Sequence, residues 1–175
     1  MCGRYTVRDT QAVQREYGAV VKPSYNVAPS QDVAVVTDKA ETMKWHYSPT
    51  WAKEPMNLIN ARSETLKEKP SFKMAKRCLI VADGWVEWLR EGDKKQPYFF
   101  HMNNNLFTFA GIYTEYQGVK GCAIITKEAN EKLSKIHNRM PVMLKHNEGR
   151  DWLNGKDVYS SSLSERINYY PVSTM

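Results

Sequence analysis

Cysteine is scarce in this sequence: three residues, Cys2, Cys78 and Cys122, in 175. They form no CxxC pair, and no histidine stands at a zinc-finger spacing from them. A disulfide scaffold and a structural zinc site are therefore excluded, and a reducing compartment is expected. Long apolar runs are missing too, and none approaches the ~18 residues of a membrane span. The first ten residues, MCGRYTVRDT, carry charges where a signal peptide would be apolar. The expected location is cytoplasmic, with no membrane contact. Repeats, low-complexity tracts and linker-like stretches are absent as well, so residues 1–175 read as one domain.

What is present is a chain that can fold. Residues AVILMFWYC make up 42% of it and charged residues 25%, enough to bury a core. The net charge of +6 and pI near 9.2 suit a polyanionic partner. The strongest local bias lies between Arg62 and Arg77, with six basic residues against two acidic ones, Glu64 and Glu68. It reads either as a phosphate-facing surface or as a solvated helix face.

Gly3–Val7 reads as a short opening strand. DTQAVQREYG follows as a helix, capped by Asp9 or Thr10 and stopped by Gly18. SYNVAPSQ reads as loop. Val33–Thr37 and Met43–Tyr47 read as strands, and LINARSETLKEKPSFKMAKR as a loop feeding two short helices broken at Pro70. CLIVAD, GWVEWL, QPYFFHM, LFTFAGIYTEY, GCAIIT, MPVML and INYYPVS carry the apolar and β-branched content of strands. TKEANEKLSKI reads as a helix capped by Thr126, and NEGRDWLNG as one closed by Gly155. Strands joined by hairpins outnumber the helices. The fold class is α+β: a curled, mainly antiparallel sheet or open barrel with several short helices.

Five positions invite chemistry. If Met1 is removed, Cys2 becomes an N-terminal 1,2-aminothiol. Its amine has a pKa of ~7.7–8.0 and its thiol one of ~8.5, and both can add to one aldehyde carbon. The alternative is that Met1 stays and Cys2 packs in the first strand. Asn60 offers amide donors and an acceptor, unless it only closes a turn. Arg62, two residues on, shares its face if the stretch is extended. Glu87 in GWVEWL lies on the face of Trp85 and Leu89, where desolvation would raise its pKa and fit it to relay protons; an edge-strand Glu reaching water is the alternative. His137 sits between a helix and a strand, flanked by Asn138 and Arg139. His46, His101 and His146 read as structural, and Cys78 and Cys122 as buried thiols. Among the aromatics, Trp51, in a Pro-flanked loop, is the choice for an exposed stacking role.

MCGRY at the start, NVAP at 26–29, INARSET at 59–65, KRCLIVADGWVEW at 76–88, KKQPY at 94–98 and IHNRMPVML at 136–144 occur in one order. That series resembles the SRAP (SOS response-associated peptidase) family over nearly the whole chain. The resemblance implies a monomeric protein acting on abasic sites in single-stranded DNA, associated with the nucleoid or replication fork. It implies a thiazolidine cross-link through Cys2, with lyase-type chemistry and no metal or cofactor. By the same resemblance Asn60 holds the Cys2 terminus and substrate, Glu87 moves protons during sugar-ring opening, and His137 serves imine chemistry, incision and reversal. Arg4, Arg62 and Arg139 would grip phosphates, with Thr126 a polar contact among them. His46 stands where the family has a small residue, and Val86 where it often has an aromatic. Two other readings compete: an N-terminal-nucleophile amidohydrolase or self-processing peptidase using Cys2, and a non-catalytic DNA-binding module.

Overall fold

Asp9 and Gly18 bound the first helix as the sequence implies. In the computed structural model, which describes residues 2–173, helix α1 spans Thr10–Tyr17. The Asp9 side chain accepts from the Ala12 N–H, and Gly18 closes the helix in the left-handed region at φ +72°. The preceding strand, β1 (Tyr5–Val7), is shorter than its expected span. It pairs with β7 (Gly84–Glu91), placing Tyr5 opposite Trp85. On its other side lies β2 (Ser24–Val27). The sequence reads that segment as loop because its side chains are largely polar. Its backbone pairing with β1 makes it an edge strand. Strands β8 (Lys94–His101) and β13 (Asn168–Pro171) complete an antiparallel five-stranded sheet, ordered β13-β8-β7-β1-β2.

The second sheet is built on β6 (Lys76–Ala82), β9 (Phe107–Tyr116) and β10 (Val119–Glu128). Strands β3 (Asp32–Val36) and β4 (Ala40–Lys44) form a hairpin on the edge of β6. The expected strand Met43–Tyr47 is thus displaced towards the N-terminus, because the turn falls at Thr37–Lys39; Tyr47 keeps only an isolated bridge to Leu58. The sheet curls until β10 meets β4 at one pair, Gly121 and Lys44. A Cβ on Gly121 would lie 1.9 Å from the His46 carbonyl oxygen, so only glycine permits that approach. The sheet is curled but not a regular closed barrel.

The stretch read as a loop feeding two short helices, and the start of the helix read over TKEANEKLSKI, are in part extended instead. Residues 60–62 form β5 (Asn60–Arg62), parallel to β10, followed by a 3₁₀ turn at Ser63–Thr65. The two helices expected there do not form. Helix α2 is short, Glu131–Ser134, and is capped by Asn130 rather than Thr126. Thr126 stays in β10, held between β5 and β11 (Arg139–Pro141). MPVML is split. At Val142 the chain crosses from β10 to β9, and β12 (Met143–Leu144) continues there. Helix α3 (His146–Leu153) covers β6 and β9.

The core between the sheets is aromatic. Tyr5 meets Trp45 and Phe109 edge-on, and Trp85 stacks on Phe100 with centroids 5.1 Å apart. A second cluster lies under α3, where Trp152 Nε1 donates to the Cys78 and Gly111 carbonyls. Arg77 stacks over Trp152 at 3.8 Å and pairs with Asp157, which also takes Lys67. These two cations of the basic stretch therefore anchor the fold. Cys78 and Cys122 are buried free thiols.

Asp83 fixes the exit of β1. Its buried carboxylate accepts from the Thr6 hydroxyl at 2.5 Å, the Arg8 N–H at 2.6 Å and Arg8 Nε at 3.0 Å. Removing one partner of a buried charged pair costs roughly 3–5 kcal/mol. Asp83→Ala is expected to lower unfolding stability by about 3 kcal/mol in urea titration, since Arg8 keeps some exposure.

Candidate active site

The register of β1 on β7 continues towards the N-terminus. Val86 N–H donates to the Arg4 carbonyl at 3.0 Å, which carries Gly3 and Cys2 past Glu87. Cys2 is fully buried. From the other sheet, β5 delivers Asn60, whose Nδ2 donates to the Cys2 carbonyl at 3.2 Å and to the Ile59 carbonyl at 2.9 Å. The Asn60 Oδ1 is buried and has no hydrogen-bond partner among the described residues. An acceptor in that state is an opening for a donor supplied by substrate or by a terminal amine.

Glu87 lies on the core face of β7 with Trp85 and is 2% exposed. Burial pushes its carboxyl up to about 7. Its Oε2 lies 3.2 Å from His137 Nδ1. That same Nδ1 receives the Arg139 backbone N–H at 3.1 Å, which requires a lone pair there. The hydrogen shared by the Glu87–His137 pair therefore belongs to the carboxyl, and the imidazole carries its own proton on Nε2. Burial also lowers the His137 pKa, which agrees with a neutral ring. Desolvation, reinforced by the Glu87 charge, holds the Cys2 thiol well above its ordinary value. The thiol is thus protonated at neutral pH.

Cys2, Asn60, Glu87 and His137, some 135 residues apart at the extremes, form one cluster. The cationic positions behave differently from each other. Arg4 is half-buried and turns its Nη1 to the Gly3 carbonyl at 2.8 Å. Arg62 is exposed, and its side chain has no partner among the described residues. Arg139 is bound by both carboxylate oxygens of Glu64, and its Nη2 donates to Thr126 Oγ1 at 3.1 Å. Thr126 is 2% exposed, so it sits behind Arg139 and acts through it. Trp51 is 58% exposed, with Nε1 turned to the Pro70 carbonyl at 3.4 Å; no described contact joins it to the cluster. Glu64 and Asp83 are the positions that sequence reading passes over. Glu64 appears in the chain only as an acidic minority in a basic stretch, and its partner is 75 residues away. Among the described residues, no three His, Cys, Asp or Glu side chains converge as a metal site would need. No helix among them is long and apolar enough to cross a membrane.

The architecture is shared with a crystal structure of a Bordetella bronchiseptica protein, which superposes with a TM-score of 0.83 at 21% identity over 99% of this chain and 100% of that one. A sequence profile for "SOS response associated peptidase (SRAP)" matches residues 1–175, and the chain belongs to that family. Its relatives include the abasic site processing protein YoaM of Bacillus subtilis, 37% identical over 100% of this chain and 88% of the relative. The abasic site processing protein YedK of Escherichia coli is 31% identical over 99% of this chain and 92% of the relative.

Proposed function

We propose that the protein captures abasic sites in single-stranded DNA as a covalent thiazolidine on Cys2, once Met1 has been removed. The observation that carries this reading is the convergence of buried Cys2 and Glu87 with half-buried Asn60 and His137 in one cluster, with a carboxyl poised near neutrality. The family resemblance and the abasic-site relatives support it.

The chemistry follows from the protonation states. An abasic sugar rests mainly as a closed hemiacetal. Protonated Glu87 donates to the ring oxygen as the anomeric hydroxyl passes its proton to water, which breaks the C1′–O bond to the ring and frees the C1′ aldehyde. The Cys2 amine adds to C1′, and water leaves to give an imine. The thiol follows, since it is protonated and poorly nucleophilic until then. Its sulfur bonds to C1′ while its proton passes to the imine nitrogen, closing a five-membered ring. The sum is DNA plus protein less one water. Loss of a C2′ proton from the imine would expel the 3′ phosphate, and we assign that step to the Glu87–His137 pair once Glu87 has given up its own proton; ring closure by sulfur competes with that incision. The exposed Arg62 and the paired Arg139 meet phosphates rather than base edges, so capture is tolerant of sequence.

The test is intact mass after incubation with an oligonucleotide bearing one abasic site. The expected species is protein lacking Met1 plus oligonucleotide less one water, stable on a denaturing gel. Recovery of only unmodified protein and DNA refutes the reading. Hydrolysis of free glutamine in its place would favour the amidohydrolase alternative.

A further inference from the structure

Arg139 is not waiting open for a ligand. Glu64 presents both carboxylate oxygens to its two terminal nitrogens, the forked geometry that guanidinium also uses on phosphate. The two partners are held unequally. Arg139 is 13% exposed and is fixed from behind by buried Thr126 on β10. Glu64 is 46% exposed and rides on the 3₁₀ turn that follows β5. The carboxylate therefore occupies the solvent side of the guanidinium, the side from which DNA must arrive. Exposed Arg62 precedes it by two residues and remains unpaired among the described residues.

We propose that Glu64 is an internal stand-in for phosphate: it occupies Arg139 in the free protein and is displaced by a DNA phosphodiester on binding. The proposal rests on the reading that Arg139 meets the DNA backbone, and it adds what controls that contact. The pair is open to water on the Glu64 side, where solvent screens it, so a phosphate with neighbouring contacts can replace the carboxylate. A single small anion, with no help from adjacent phosphates, has little to gain at a guanidinium already neutralised. The pair thus favours a polyanion over free phosphate. Because Arg139 holds the Glu64 carboxyl down to about 2, the stand-in remains ionised throughout the physiological range, and it yields to ligand rather than to pH.

The test is fluorescence anisotropy of a labelled oligothymidine without an abasic site, so that only non-covalent binding is read. Four proteins are compared: wild type, Glu64→Gln, Arg139→Gln and the double variant, each checked by thermal melting. Glu64→Gln keeps the shape and an acceptor oxygen but removes the competing charge. It is expected to tighten binding roughly 2- to 5-fold, and this gain should vanish in the Arg139→Gln background. Equal gains in both backgrounds would mean that Glu64 acts only as a general negative charge, and the proposal fails. Weaker binding by Glu64→Gln would mean that it merely positions Arg139, and the proposal fails again. If Arg139→Gln alone binds as well as wild type, the phosphate reading of Arg139 falls and takes this proposal with it. The Cys2 chemistry is judged separately, by adduct mass.

Discussion

Cys2→Ala is expected to reduce the denaturation-resistant DNA adduct to background while leaving non-covalent DNA affinity within about 2-fold, a difference smaller than ~0.5 kcal/mol. Alanine at position 2 also permits methionine removal, so the variant keeps an N-terminal amine and can still form an imine. What it lacks is the sulfur that closes the ring. Intramolecular closure of this kind draws on effective molarities of ~10⁵–10⁸ M, whereas an imine left open returns to aldehyde and amine in water. Borohydride should therefore rescue a cross-link in Cys2→Ala by reducing the imine, and strand incision should rise because elimination loses its competitor. Cys2 is fully buried, and deleting its one sulfur should cost on the order of 1 kcal/mol, too little to unfold the domain. Loss of adduct is then chemical. A Cys2→Ala protein that forms a stable cross-link without reductant would eliminate the thiazolidine mechanism.

How much of this was legible beforehand depends on how local the cause is. Helix α1 is written in two adjacent signals, the Asp9 cap and Gly18. The face of β7 that Glu87 shares with Trp85 is written in strand alternation, but its burial is not, since Val86 on the opposite face is buried as well. By contrast, β2 and β5 exist because other strands lie beside them. Ser24–Val27 is too polar to announce itself, and Asn60–Arg62 is only three residues long, held by parallel pairing to a strand more than 60 residues away. The same cause misplaced the α2 cap. Thr126 has good cap chemistry, but pairing with β5 and β11 on either side keeps it in the sheet. Four of the chemical positions could be chosen from residue type and motif order, yet their meeting could not. Neither could the state of Arg139, since Glu64 reads as one acid among many basic residues until the fold brings them face to face. Sequence also could not say that Arg77 and Lys67 are spent on α3 and its following turn rather than offered to DNA.

Glu87→Gln should make the protein more stable and less active at once. Glutamine matches the shape of the carboxyl and is neutral at every pH. In the wild type, burial raises the folded-state value from 4.5 to about 7. The folded state therefore binds the proton more tightly than the unfolded chain does. This favours folding fully below pH 4.5, and the advantage is lost as pH rises through about 7. The span corresponds to about 3 kcal/mol at roughly 1.4 kcal/mol per unit. Glu87→Gln is consequently expected to gain about 3 kcal/mol over wild type well above pH 7 and nothing in mild acid; urea titrations at the two pH values check it. The catalytic side has the opposite sign. Cross-linking needs a neutral amine, pKa ~7.7–8.0, together with a protonated Glu87, so the wild-type rate should peak between the two values and fall on either side. Glu87→Gln cannot donate, and its rate should drop by ~10²- to 10⁴-fold, with the alkaline fall gone and only the amine limb left. A variant that keeps the wild-type rate and its alkaline fall would mean that another group opens the sugar. A variant that gains stability equally at both pH values would mean that the carboxyl is solvated, and the buried proton donor at the centre of the mechanism would not exist.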